Sequence, residues 1–95
     1  MKLEVGMYVR DIKGRIDKII GFKGALIEFE KDLMGGYIDC NDFTKASYNI
    51  IDLIEVGDYV NGVLVDSVPL TKKINMPSGR WRIVNCTNED IKSIV

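Results

Sequence analysis

The amino-acid sequence predicts an all-β protein built as two small, partly open barrels in tandem. The first observation is an internal recurrence: Leu3–Val9 returns as Ile54–Val60, with five of the seven residues identical. The second is that apolar residues occur in short runs bounded by glycine, asparagine and proline, a pattern typical of strands and turns. The third is that no stretch keeps the 3.6-residue periodicity of a long amphipathic helix.

The recurrence also predicts the domain organisation. We expect a first unit over residues 1–53 and a second over 54–95, packed together as one compact body. Two weaker echoes follow in the same order, 37–41 with 83–87 and 49–54 with 90–95. The offset between partners falls from 51 to 46 and then to 41 residues, so the second unit would repeat the first with two shortened loops. The alternative is a single irregular β domain whose strands are similar by coincidence.

Short strands are predicted through both units. In the first unit they cover 7–10, 15–22, 25–30, 37–40 and 49–54, and in the second 59–60, 63–65, 71–74, 80–86 and 90–95. Asn61-Gly62 predicts a tight hairpin, because both central residues of a type I′ turn need positive φ. At most one or two short helical turns are predicted, at 42–48 and near 87–91.

The opening of each unit resembles that of a known class of small barrel. Gly6 and Gly57 stand where the chain must bend sharply into a first hairpin. Five short strands after a Val-Gly-x-x-Val opening resemble an SH3-like barrel, and Val56–Val60 is similar to the start of KOW and Tudor-type modules. The resemblance implies two SH3-like, partly open barrels.

Composition excludes several kinds of site. The 95 residues include 13 Lys and Arg, 14 Asp and Glu, two cysteines and no histidine. Catalytic Ser-His-Asp and Cys-His arrangements are therefore excluded, and two cysteines cannot complete a closed zinc site. Carboxylate spacing of the calcium-loop kind is also missing. We predict a protein that is not an enzyme and has no cofactor or metal. Cys40 and Cys86 are expected to be reduced, buried thiols.

Two segments carry a more specific resemblance. Lys45–Gly62 and Met1–Arg10, together 28 of 95 residues, resemble small accessory proteins of phages and prophages of Gram-positive bacteria. That family carries no established active site. The resemblance implies a protein acting inside a bacterial cell, and many such proteins inhibit host immunity by binding, anti-CRISPR proteins among them. No apolar run approaches the ~20 residues of a membrane span, so we expect the cytoplasm of the bacterial host cell.

An acidic ladder is the first candidate binding surface. Alternation along a strand at 26–32 puts Ile27 and Phe29 on one face and the acids on the other. The acidic ladder comprises Glu28, Glu30, Asp32, Asp39 and Asp42. Carboxylates so arranged imitate a run of phosphates and would block a basic nucleic-acid channel on a partner. The alternative is an ordinary solvated strand face.

A basic-aromatic cluster is the second candidate surface. It comprises Lys72, Lys73, Arg80, Trp81 and Arg82. Such a cluster pairs phosphate contacts with base stacking. Alternation puts Arg80 and Arg82 on one face and Trp81 on the other, so the alternative is that Trp81 covers the core of the second unit. The cluster can bind nucleic acid only if Trp81 is exposed.

These observations favour a non-catalytic phage inhibitor. We expect it to bind a host immune protein, such as a CRISPR effector, and to block a nucleic-acid-binding surface through the acidic ladder. The alternative is an SH3-like nucleic-acid-binding or adaptor module of a phage complex, acting through the basic-aromatic cluster. A structural phage component is a third possibility. We expect no membrane partner, and a net charge of −1 gives no bulk attraction to nucleic acid.

Overall fold

The structure is a computed structural model that describes residues 2–34 and 43–95. The chain divides into two compact units, Met1–Leu53 and Ile54–Val95. Eight strands and two short 3₁₀ helices make up the regular structure of the described residues. The predicted all-β class is confirmed, and the antiparallel sheets of this part of the chain do not close.

The first unit contains one four-stranded sheet. Its strands are β1 (Tyr8–Asp11), β2 (Ile16–Lys23), β3 (Leu26–Phe29) and β4 (Phe43–Ser47), and a 3₁₀ helix follows at Ile50–Leu53. The strands are antiparallel in the order β3-β2-β1-β4, so β4 returns to pair with the first strand. A β-bulge interrupts the β2–β3 register between Ile19 and Gly21.

Strand alternation builds the core of the first unit. Every second residue of β3 is buried, and β1 and β2 turn Val9 and Ile19 inward with no exposed surface. The buried core comprises Val9, Ile19, Ile27, Phe29, Met34 and Phe43. The rings of Phe29 and Phe43 meet edge to face, with centroids 6.3 Å apart.

Two buried carboxylates organise the loops around this core. Asp11 accepts hydrogen bonds from the Lys13 and Arg15 amides and forms a 2.7 Å ion pair with the Arg15 Nε. Burial alone would raise the pKa of Asp11, but the Arg15 hydrogen bonds and charge outweigh it and lower the pKa. Asp17 accepts hydrogen bonds from the main-chain amides of Lys18, Lys31 and Leu33. Asp17 therefore fastens the chain beyond β3 to β2.

The second unit contains two small hairpins. Its strands are β5 (Tyr59–Val60), β6 (Val63–Leu64), β7 (Thr71–Asn75) and β8 (Trp81–Asn85), and a 3₁₀ helix follows at Asn88–Asp90. β5 pairs with β6 and β7 with β8. The core comprises Ile54, Val60 and Val65, against which Leu70, Ile91 and Ile94 pack.

Asn61 joins the first hairpin to the end of the chain. Asn61 and Gly62 have φ of 53° and 80°, which confirms the predicted turn with two positive φ values. The Asn61 Nδ2 donates to the Asp90 carbonyl, and its Oδ1 accepts from the amides of Lys92 and Ser93. One side chain thus both shapes the turn and holds the segment that bridges to Val60.

The recurrent opening folds the same way in both units. In the first unit, three main-chain hydrogen bonds run from Gly6 N to Ile19 O, from Met7 N to Glu4 O and from Ile19 N to Met7 O. In the second unit they run from Gly57 N to Val65 O, from Asp58 N to Glu55 O and from Val65 N to Asp58 O. The offset falls from 51 residues at the glycine to 46 at the aliphatic partner, as the first shortened loop requires.

This opening turn depends on its glycine. Gly6 and Gly57 have φ of +95° and +98°, where an L side chain is strained, and a Cβ on Gly57 would touch nothing within 4 Å. Gly57→Ala is therefore expected to lower the free energy of unfolding by about 1–2 kcal/mol through backbone strain alone. Gly6→Ala, whose Cβ would lie 3.6 Å from the Tyr48 ring, should cost a similar amount. Urea unfolding followed by circular dichroism measures both.

A D-alanine at position 57, introduced by chemical synthesis, is the matched control. It adds the same methyl group but is compatible with positive φ, so it should cost less than the L-residue. Equal losses for the two stereoisomers would contradict backbone strain as the cause.

Three of the predicted elements are wrong. The helical turn expected at 42–48 is strand β4, and the strand expected at 49–54 is the 3₁₀ helix Ile50–Leu53. The strand expected at 90–95 is absent, since this stretch contains only the end of the 3₁₀ helix Asn88–Asp90 and an isolated bridge from Ile94 to Val60. The echo between 49–54 and 90–95 is therefore also wrong. In the first unit β4 pairs with β1, and in the second unit Ile94 bridges to Val60 of β5, so the counterpart of 94–95 is β4 and not 49–54. The helical turn near 87–91 is confirmed by Asn88–Asp90. The strand predicted at 37–40, with its echo, lies outside the described residues.

Candidate interaction surfaces

The acidic ladder begins on the outer face of β3. Ile27 and Phe29 are buried, as alternation predicted, and Glu28 lies between them on the opposite face, across from Gly21 on β2. The Glu28 carboxylate is 3.6 Å from the Lys23 Nζ, and a Cβ on Gly21 would come within 3.0 Å of its Oε2. Glu28 therefore lies over the glycine and contacts a cation of its own sheet.

The next two members of the ladder are exposed. Glu30 follows β3 directly and donates its main-chain amide to the Lys18 carbonyl. Asp32 has a φ of 53° and lies between Lys31 and Leu33, whose main-chain amides both donate hydrogen bonds to Asp17. Their backbone is thus held while their carboxylates face solvent. The remaining two members, Asp39 and Asp42, lie outside the described residues.

An apolar depression of about 360 Å³ adjoins the ladder. Ile20 is 51% exposed, Leu26 is 43% exposed, and both line it. The other lining residues are Lys23, Ile27, Glu28, Phe29 and Asp32. Leu26 lies two residues before Glu28 and therefore on the same face of β3, and this spacing could have placed it beside the ladder from sequence. Ile20 could not have been placed, because the bulge shifts the β2 register there.

The basic-aromatic cluster lies on the hairpin of β7 and β8. Asn75 pairs with Trp81 and Lys73 with Ile83, so these side chains share one face of the hairpin. We call this the outer face; its members are Thr71, Lys73, Asn75, Trp81, Ile83 and Asn85, all of them exposed. Trp81 is 65% exposed and Ile83 64%. The alternative interpretation, in which Trp81 covers the core of the second unit, is wrong.

The structure does not bring the whole cluster onto one face. Lys72 lies on the opposite face, where Arg82 also lies, and its Nζ is 2.8 Å from the Asp90 Oδ1. This hydrogen bond raises the pKa of Lys72 and lowers that of Asp90, which also accepts hydrogen bonds from Thr87. Lys73, Arg80 and Arg82 are exposed. Residues 71–86 contain no Asp or Glu, so the hairpin is uniformly basic.

Sequence reasoning missed Ile83 on the outer face. The same alternation that separated Trp81 from its neighbouring arginines could have placed Ile83 beside it. Of the two cysteines, Cys40 lies outside the described residues. Cys86, expected to be buried, is a free thiol that is only half-buried, and its burial raises its pKa.

Within residues 2–34 and 43–95, no three His, Cys, Asp or Glu side chains are grouped so that they could hold a metal ion. In the same part of the chain, no helix has the length and apolarity needed to cross a membrane. No protein-family model, curated protein or solved structure matches this chain.

Proposed function

We propose that this protein is a non-catalytic, phage-encoded inhibitor that binds a host immune protein of the CRISPR-effector kind and blocks its nucleic-acid-binding surface. The observation that carries the proposal is the juxtaposition of exposed carboxylates and exposed apolar surface on the first unit. Glu30 and Asp32 are exposed, and Asp32 lines the depression formed with Ile20 and Leu26. The phage setting comes from the sequence resemblance of the 28 residues named above.

A basic nucleic-acid channel is a suitable partner for such a surface. Its lysine and arginine side chains carry charged ends on apolar stems, which need both a carboxylate and an apolar contact. The ladder provides the carboxylates, held by a fastened backbone, and the depression provides the apolar contact. Complementary charge also accelerates encounter and makes association weaker as salt rises.

A plasmid-interference experiment tests this function. Bacteria carrying an active single-protein CRISPR effector and a matching spacer are transformed with the targeted plasmid, with and without this protein. We expect the protein to restore transformation. The purified protein should also compete with target DNA for the purified effector in a gel-shift assay, and less effectively at high salt.

Charge reversal locates the surface responsible. Glu30→Lys with Asp32→Lys should abolish inhibition, because it replaces attraction to a basic channel by repulsion. Asp66→Lys with Glu89→Lys makes the same change in net charge at two other exposed acids and should retain inhibition. Glu28 is left intact, because its reversal would put a second cation beside Lys23. Equal inhibition by both double variants would refute the role of the ladder. Wild-type protein that restores no transformation with any RNA-guided nuclease tested would refute the function.

A further inference from the structure

The outer face of β7 and β8 is a second surface, independent of the acidic ladder and of the inhibition proposed for it. It presents the sole tryptophan of the chain, two-thirds exposed, on a hairpin without any carboxylate. Burying such a side chain in the core is the usual way to remove its apolar area from water. An indole left in solvent among cations needs a different explanation.

We propose that this face binds single-stranded nucleic acid, with one base stacked on Trp81 and a neighbouring phosphate on Lys73. The register makes Lys73 the diagonal neighbour of Trp81, with Cβ atoms about 7 Å apart in such pairs. A long lysine side chain beside an indole can therefore meet the phosphate next to a stacked base. Asn75, directly opposite Trp81, adds a side-chain amide that can donate to phosphate or base edges.

Charge on the hairpin favours a polyanion over an apolar protein surface. Lys73, Arg80 and Arg82 are exposed and lie within residues 71–86, where no acid opposes them. Lys72 contributes less, because its ammonium group is paired with Asp90. Three available cations predict a slope of log K against log salt of about −2 for a single strand. Arg80 and Arg82 act through the field of the hairpin, since charges within about 10 Å still interact at ordinary ionic strength.

The proposed stacking on Trp81 is the reason that the ligand should be single-stranded and not a duplex. A base can stack on an indole only when it is not stacked within a duplex, and such contacts are tolerant of sequence. The outer face presents one aromatic ring, so it should hold one base at a time. This predicts weak binding without strong sequence preference, dependent on one aromatic and few cations.

The test uses the full chain and a fluorescein-labelled oligothymidylate of about twelve nucleotides, followed by anisotropy at increasing salt. We expect binding at low salt with quenching of Trp81 fluorescence. Trp81→Ala should weaken binding about 5- to 150-fold, the range for loss of one stacked base, and Trp81→Phe should restore most of it. Lys73→Ala should reduce the magnitude of the salt slope by about 0.7, whereas Lys92→Ala, an exposed lysine outside the hairpin, should leave it unchanged.

Three outcomes would overturn the proposal. The first is no binding of the oligonucleotide at about 50 mM salt, where phosphate contacts are strongest. The second is binding that Trp81→Ala does not weaken. The third is equal binding of a duplex of the same length without quenching. If Trp81→Ala instead removes inhibition in the plasmid assay while no oligonucleotide binds, the outer face contacts a protein and the nucleic-acid site is refuted.

Discussion

Ile19→Ala is expected to lower the free energy of unfolding of the first unit by about 4 kcal/mol. Ile19 has no exposed surface, lies in the middle of β2 opposite Phe29, and belongs to the buried core. Removing three methyl or methylene groups there loses their transfer free energy and leaves a cavity that a small sheet cannot close. A domain of this size has only about 5–15 kcal/mol of stability, so the loss is large.

The neighbouring residue supplies a control of identical chemistry. Ile20 is 51% exposed, and Ile20→Ala should change the free energy of unfolding by at most about 0.5 kcal/mol. Urea unfolding of both variants, followed by circular dichroism and by hydrogen exchange of β1–β4 amides, gives the comparison. Equal losses, or a larger loss at Ile20, would mean that the other face of β2 lies against the core.

Asp17→Ala is expected to cost about 3 kcal/mol, the second largest effect. Asp17 is 4% exposed. Its two carboxylate oxygens accept hydrogen bonds from the main-chain amides of Lys18 (2.8 Å), Lys31 (3.2 Å) and Leu33 (3.0 Å). Alanine leaves these part-buried donors without their acceptor, and hydrogen bonds to a charged group are the stronger kind. Met34, which is buried in the core just beyond, should loosen with them.

Asp17→Asn separates the contribution of the carboxylate charge from that of the side-chain shape, because asparagine has nearly the same shape but no charge. An asparagine keeps one acceptor oxygen but directs an amino group at a main-chain donor, so we expect it to recover only part of the loss. Asp66→Ala, at an exposed aspartate, should change stability by no more than about 0.5 kcal/mol. Hydrogen exchange at Lys31 and Leu33 measures the effect locally. Unchanged exchange at these two amides in Asp17→Ala would contradict the proposed fastening.

Local patterns in the sequence predicted the elements whose conformation is decided locally. Asn61-Gly62 specified its turn through positive φ, and alternation specified which side of β3 is buried. The Ile-rich stretch at 49–54 failed, because a short apolar run is compatible with a strand or a helical turn. Its conformation depends on distant partners, including the buried Arg10 Nη1, which donates to the Leu53 carbonyl. The sequence did not indicate that contact across 43 residues.

The candidate surfaces were predictable in position but not in environment. Alternation separated Trp81 from the arginines beside it, but it could not tell which face of the hairpin is turned toward solvent. The face of Trp81 is exposed, whereas Lys72, Ile74 and Val84 on the other face are half-buried. The inference that Trp81 covers the core assumed a buried face, whereas the core of the second unit is built around Ile54, Val60 and Val65. The pairing of Lys72 with Asp90 was equally hidden, because 18 residues and a hairpin separate them.

The three hydrogen bonds that the opening turn makes in both units join main-chain groups, and in the second unit the buried Asp58 carboxylate also accepts a hydrogen bond from the Glu55 amide at 2.7 Å. These three hydrogen bonds run from amides to carbonyls, and the residue that the turn requires is the glycine, because its φ is positive. The shared hydrogen bonds do not require identical side chains on the turn or a fixed length for the loop that follows. The chain from Gly6 to its partner Ile19 is five residues longer than the chain from Gly57 to its partner Val65. In evolutionary terms, a protein built this way can exchange surface residues and lengthen loops while its backbone stays the same. That freedom would suit the inhibitor role proposed above, because the target of an inhibitor can mutate to escape it.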